Sequence, residues 1–440
     1  MMTIVLDGWD RSSLDQLIAA IQSGARPKGG VSTETGDIPS LGGENLTLSG
    51  RVKLNDVKLI PSEFYKRMSK GHLEKDDVLI NKDGAQTGKV GCYEVDLSPA
   101  CINEHLFLLR GQKNRIIQKY LYYSLLSQPG QYQIRSQISG SAQPGLKSNF
   151  IRGLIVDLPR SLTEQRKIAH ILSMIDRAIE QTEALIAKQQ SIKSGLMYDL
   201  LTRGVDEQGN LRSEKTHQFK DSLLGKIPVE WEVISIKTVL KCNPKNGYSP
   251  IESPDWNGIY MLGLGCLTPE GFQPKQLKYA PYEDMRIETA RLADGDFLIS
   301  RANTRELVGL VGIFKDIGEL CIYPDLIMRL QFCPTVIPEY MEQLFSSSII
   351  RQQIKNAATG TSESMVKISA SIIKQLIFPK PPIAEQSRIK SIIKKINSSM
   401  HELKTSHYKL RALKTALMQD LLTGRKRVTA LLHEKEMINA

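Results

Sequence analysis

One stretch of this sequence occurs twice, and that repetition limits what the chain can fold into. Leu158 to Gly204 and Phe378 to Arg425 align at an offset that settles at 221 residues after one insertion. Gln165 then matches Gln386, Ile168 matches Ile389, and Ile175 matches Ile396. Asp199-Leu200-Leu201-Thr202 matches Asp420-Leu421-Leu422-Thr423. A period this long describes two half-molecules, whereas solenoid repeats recur every ~20–50 residues.

Both copies read as long amphipathic helices. In the second, Ile389, Ile396, Leu403, Leu410 and Leu417 recur every seven residues, with Ile393, Met400 and Leu421 in the alternate row. In the first, Ile168, Ile175 and Leu196 share one row, and Ile171, Ala178, Leu185 and Ile192 make a second beside it. Leu172, Ile179 and Ile186 lie on the other flank. A heptad row is a coiled-coil seam, and a broader stripe seats more than one partner helix. Thr163 and Pro382 suit helix starts, with Glu164 and Glu385 near the positive end of the dipole. Gly204 and Gly424 suit the stops. A single such helix would read as an ordinary core helix. Two matched copies, each closing a repeat, read as a paired antiparallel spacer.

The segments before each copy follow one script. Trp9 matches Trp231, Asp77 to Ile80 matches Asp296 to Ile299, and Gly88 to Gly91 matches Gly309 to Gly312. Tyr120 matches Tyr340, Ser139-Gly140-Ser141 matches Thr359-Gly360-Thr361, and Lys147 matches Lys367. The first segment reads as a short helix over Ser13–Ile21, strands at 77–80, 90–93, 106–109 and 154–156, and a helix over 118–127. The spans expected are a first head 1–157, a central helix 158–204, a connector 205–227, a second head 228–377, a distal helix 378–427 and a loose tail 428–440. The fold class is therefore α+β, with two pseudo-repeated globular α/β domains joined by two long antiparallel coiled-coil helices. Between matched points the heads share little, as expected if each binds a different target on one frame.

Net charge is +11, which favours an acidic polymer as partner. Ile383 to the end holds 12 Lys/Arg against 5 Asp/Glu, while Leu162 to Arg203 is nearly balanced at 6 against 5. No apolar run reaches the roughly 18 residues of a membrane span, and the first residues lack a signal core. The six cysteines form no C-x-x-C pair and read as buried thiols of a reducing compartment. A cytoplasmic location follows from these features.

No catalytic motif is complete anywhere along the chain. Gly84 to Val90 misses a phosphate-binding loop by one residue and lacks the Ser/Thr for magnesium, so it reads as a strand turn. Gly263-Leu264-Gly265 lacks the third glycine of a nucleotide loop. No Asn-Pro-Pro-aromatic run of an amino-methyltransferase is present. Glu402 and Lys404 have the spacing of some nucleases but sit on a long helix, as do His401 and His407, which do not share a face. No catalytic residue and no metal site are expected.

What remains are basic and amide residues in loops of the heads. These are Lys28, Asn45, Arg51, Lys53, Lys82, Lys89 and Lys147 in the first, and Lys245, Asn246, Arg301, Asn303, Arg305 and Lys367 in the second. Lys and Arg neutralise phosphates or read guanine, and Asn reads adenine in the major groove. Lys82 and Arg301 stand out because they follow matched strands. The loops at Gly140 and Ser141, and at Gly360, Thr361 and Ser362, have small residues that allow close approach to a backbone.

The assembled residues resemble the specificity subunit of a type I restriction–modification system. The likeness rests on Leu158-Pro159 with Glu164-Gln165, on Pro379, Pro381-Pro382 with Glu385-Gln386, on the helix ends, and on Phe219 to Trp231. It covers nearly the whole chain and departs at Arg160-Ser161, where the second proline is replaced. The resemblance implies two target-recognition domains that each read half of a split, asymmetric DNA sequence, on a chain without catalytic activity. It implies that two modification subunits, carrying S-adenosylmethionine, dock on the long helices. Motor–nuclease subunits with ATP and magnesium add to that core. Residues implied at the spacer and partner surface are Gln165, Ile168, Ile175, Ile179, Leu185, Ile192 and Leu196, then Gln386, Ile389, Ile396, Leu403, Leu410 and Leu417. The alternatives are the recognition part of a fused methyltransferase–endonuclease, and a coiled-coil adaptor with no DNA function.

Overall fold

The computed structural model describes residues 6–28, 36–95, 97–140, 144–362 and 365–432. They fall into two compact units, Met1–Ala184 with Lys404–Ala440, and Leu185–Leu403. The first long helix, Leu162–Thr202, begins in one unit and ends in the other. The second, Ile383–Leu422, does so in the opposite sense.

In the first unit, strands Ile18–Ser23, Leu106–Gly111, Asp77–Asn81 and Val90–Tyr93 lie side by side in that order, all antiparallel. Asp77–Asn81 is buried at every residue, which suits its place inside the sheet. A second sheet orders Lys58–Ile60, Ile38–Leu41 and Cys101–Ile102, with one antiparallel and one parallel join. Trp9–Ser13 pairs with Ile155–Pro159, the strand that leads into the first long helix. Helices Gln118–Leu126 and Gln128–Ser136 pack on the core through Tyr120, Leu121, Tyr123, Leu125 and Ile134.

The second unit repeats this plan. Its main sheet runs Lys245–Asn246, Ile327–Leu330, Phe297–Ser300, Val311–Ile313, and its smaller one Leu277–Tyr279, Ile259–Leu262, Leu320–Ile322. Glu232–Ser235 pairs with Ile377–Lys380, ahead of the second long helix. Helices Pro338–Ser346 and Ser348–Ala357 take the places of the first unit's pair. An ion pair is repeated as well. Arg110 meets Asp77 at 2.7 Å in one main sheet, and Arg329 meets Asp296 at 3.0 Å in the other.

Within each unit the two long helices run antiparallel. In the first, Lys414 reaches Asp176 at 2.6 Å and His407 reaches Glu183 at 3.0 Å, so residue numbers fall on one helix as they rise on the other. Leu421 and Leu422 join Ile168, Ala169 and Leu172 in the first head's core. In the second, Leu200 and Leu201 join Ile389 and Ile393 in the second head's core. Each head is therefore completed by the start of the long helix that follows it and the end of the other.

Several local expectations are corrected. Ser13–Ile21 is no helix: a 3-10 turn at Leu14–Gln16 gives way to strand Ile18–Ser23. Backbone pairing with Leu106–Gly111 overrides the helix preference of Ala19-Ala20. Thr359–Ser362 is a strand, paired with Met365–Lys367, and not a loop. Val428 is 2% exposed and belongs to the first head's core, so a loose tail cannot begin there. Val205 and Ile227, in the supposed surface connector, are likewise buried. The heptad row is not evenly buried: Ile389 is buried, Ile396, Leu403, Leu410 and Leu417 are half-buried, and Leu185 and Ile192 are exposed. Burial instead follows positions 168, 172 and 179 and their counterparts 389, 393 and 400, because the heads cover the helix starts. Of the cysteines, Cys242 is exposed, Cys333 half-buried and the other four buried. No helix among the described residues is long and apolar enough to cross a membrane.

Candidate nucleic-acid interface

Lys82 and Arg301 occupy one structural place in the two heads. Each follows the central strand of its main sheet. The Lys82 amide donates to the His105 carbonyl at 2.9 Å, and the Lys82 carbonyl accepts from Leu146 N at 2.7 Å. The Arg301 amide donates to Leu326 O at 2.9 Å, and its carbonyl accepts from Ile368 N at 2.8 Å. These backbone bonds set Leu146 opposite Lys82 and Ile368 opposite Arg301, so Lys147, which follows Leu146, and Lys367, which precedes Ile368 and pairs with Ala302, are matched in sequence but do not fall at one structural position. Lys147 and Lys367 are both exposed. The strand Ala302–Asn303 adds Asn303 opposite Val366, and Thr359–Ser362 brings Gly360 and Thr361 into the same three-stranded sheet. Gly140 lies just before the matching place in the first head, and Ser141 lies outside the described residues.

In the first head a cavity of about 710 Å³ opens beside Lys82 and is lined by Lys70, Lys147, Ser23 and Phe107 among others. The Lys82 ammonium donates to Ser23 Oγ at 3.1 Å and stands 5.4 Å above the Phe107 ring. A neighbouring cavity of about 590 Å³ is lined by Lys53, Lys89, Gln86, Asn81 and His105. The Lys89 ammonium donates to Leu46 O at 2.9 Å and to Gln86 Oε1. Burial, and then the nearby Lys53, push that ammonium below its ordinary value.

Other candidates are engaged elsewhere. Asn45 is 3% exposed, accepts from Gly42 N at 2.9 Å and donates to Lys53 O at 3.0 Å, so its amide is committed to the chain's own turn. Arg305 donates to the carbonyls of Lys355 at 2.9 Å and Ala358 at 3.4 Å, closing the end of helix Ser348–Ala357. Arg51 is held by Glu183 of the first long helix. Asn303 Oδ1 accepts from Thr304 N at 2.8 Å. Lys28, Lys245 and Asn246 are exposed.

Gln165 and Gln386 do not face outward from the helices. Gln165 accepts from Ile117 N at 2.9 Å and donates to Pro159 O and Arg115 O at 2.8 and 3.1 Å. Gln386 accepts from Ile337 N at 3.0 Å and donates to Pro381 O and Thr335 O at 2.9 and 3.3 Å. Ile117 and Ile337 each precede the first turn of a head helix, so both glutamines satisfy a helix start that no local side chain caps. The preceding glutamates are also used inside. Glu385 accepts from Val205 N at 2.9 Å and Trp231 Nε1 at 3.0 Å, with Arg212 Nη1 at 3.2 Å. Glu164 receives both ends of the Arg427 fork, at 2.7 and 2.9 Å. Sequence reading missed Lys70, Arg212 and Arg427 as partners of these places. The doubled Glu-Gln pair was visible, but nothing in the text showed what it would bind.

A family model described as "Type I restriction modification DNA specificity domain" matches residues 7–189. The chain is 26% identical over 379 residues to the type I restriction enzyme MjaVIII specificity subunit of Methanocaldococcus jannaschii, covering 84% of each. It is 24% identical over 347 residues to the EcoKI specificity subunit of Escherichia coli K12, covering 78% of this chain and 71% of that one. The solved S subunit of a type I system from M. genitalium has the same fold, with TM-score 0.57 at 13% identity, covering 94% of this chain and 96% of that chain.

The two heads share one strand order in their main sheets, each with a cation, Lys82 or Arg301, directly after the central strand, and the similarity to these proteins is to DNA specificity subunits. Over most of its length the chain is similar to the specificity subunits of type I restriction–modification systems, and residues 7–189 match their DNA specificity domain.

Proposed function

We propose that the two heads read the two halves of a split, asymmetric duplex sequence, and that the chain has no active site of its own. The observation that carries this reading is the repeated placement of Lys82 and Arg301, each directly after the central strand of its main sheet and held by the same pair of backbone bonds, on otherwise divergent heads. Cations placed alike set the protein on the phosphate backbone, and different neighbouring residues give each head its own base preference. The long helices carry two modification subunits. Ile192 and Leu413, equivalent under the repeat, are 47% and 45% exposed, and a surface that occurs twice suits a partner bound twice. In this reading S-adenosylmethionine belongs to those modification subunits, and ATP with magnesium to motor–nuclease subunits that join them.

The test is methylome sequencing of a host expressing the chain with a modification subunit, before and after replacing residues 1–157 by a foreign first head. A split motif of which one half changes supports the reading. A motif that changes in both halves, or none at all, overturns it.

A further inference from the structure

The cavity beside Lys82 contains more positive charge than the chain itself balances. Lys70, Lys82 and Lys147 line it, and none of the three has a carboxylate partner among the described residues. Other lysines of this head do find partners: Lys58 meets Glu44 at 2.8 Å, and Lys119 meets Asp76 at 3.4 Å and also Glu94. Asp83 is the one acid among the described lining residues, and His105 Nδ1 already holds it at 2.7 Å. Three ammonium groups around one space repel each other unless an anion lies between them. Ser23 and Phe107 fix the Lys82 ammonium in place. Ser148 adds a hydroxyl and Gly145 leaves its backbone open, since a Cβ there would meet only Lys82 O, at 3.6 Å.

We infer that this cavity holds one backbone phosphate of the duplex bound by the first head. The inference rests on the DNA-recognition reading and adds to it a division of labour. An ammonium meets a phosphate as a point charge, whereas a guanidinium forks onto a phosphate or a base edge. Three ammonium groups converging on one space fit a single phosphate, which would position this head without informing it. At the equivalent place in the second head stands Arg301, whose Nε is buried without a hydrogen-bond partner.

The experiment uses the full chain, and it measures binding to a library of random duplexes and to one fixed duplex across a salt series. Lys82→Ala with Lys147→Ala is expected to weaken all duplexes alike and leave the selected sequence unchanged. Each phosphate that is no longer neutralised makes the log–log salt slope shallower by about 0.9, so affinity falls about threefold less over a fourfold rise in salt. Lys82→Arg with Lys147→Arg is expected to restore both affinity and slope. A changed sequence preference in the alanine variant would mean base contact and overturn the phosphate assignment. Unchanged affinity and slope overturn the cavity as a binding site, while a wild-type chain that binds no duplex overturns the recognition reading on which it stands.

Discussion

Gln165 and Gln386 each spend one side-chain amide on three backbone groups. Both are fully buried. Gln165→Ala takes these bonds from the Ile117 N–H and two carbonyls, and each buried group left an orphan costs about 1–3 kcal/mol. Hydrogen exchange is expected to speed up over Gln118–Leu126 and to leave Pro338–Ser346 unchanged. Gln386→Ala is expected to do the reverse. Loss of protection in both heads from one substitution would refute this local role. The matched glutamines were legible in the text as a repeat. Their targets were not, because a buried amide can serve any backbone its fold brings near. Asn45 shows the same limit: its type fits adenine, but burial commits it to a turn.

Elements end where the packing leaves no room for a side chain. Gly204 stops the first long helix at φ +67°, and a Cβ there would lie 2.1 Å from Glu385 Oε1 and 2.3 Å from Trp231 Cζ2. Gly204→Ala therefore combines backbone strain with overpacking, at a cost of about 1–3 kcal/mol. Chemical denaturation of the full chain checks this. In the first unit, one carboxylate joins three segments: Glu183 takes Arg51 from the head and His407 from the second long helix. Burial alone would raise the Glu183 carboxyl, but its bonds from Arg51 and His407 bring it below its ordinary value of 4.5. A depressed carboxylate contributes stability above the unfolded value, and that contribution is lost as pH falls through the folded one. Both partners are partly solvated, so the contribution is about 1 kcal/mol at most. The stability gap between wild type and Glu183→Gln is expected near neutral pH and to close as the pH falls below the ordinary value of 4.5 and through the depressed one. A gap that persists in acid would assign the effect to packing. At this scale the long helices were legible because their period runs through some forty residues, 41 and 40 in the structure. Strand Ile18–Ser23 was not, because its partner lies more than eighty residues away and its own residues favour a helix.

The molecule is a duplication, and its two heads are closed by equivalent helix ends that stand at very different distances along the chain. The second is completed by Leu200, Leu201 and Val205, which precede it directly in the sequence. The first needs Leu421, Leu422 and Val428. Leu421→Ala with Leu422→Ala removes two buried side chains, each worth about 2–5 kcal/mol. Hydrogen exchange should show the first head opening while the second keeps its protection. Equal loss in both heads would contradict the separate cores. The repeat made two half-molecules legible, but it could not say which helix end completes which head.

That difference sets an order in time. A ribosome finishes residue 403 before it reaches residue 428. The unit 185–403 then has all its core residues in hand, while the head around Trp9, though made first, still lacks three of its own. The earliest head to emerge is the last to seal, and in the interval its apolar interior is open to whatever chaperone meets the nascent chain.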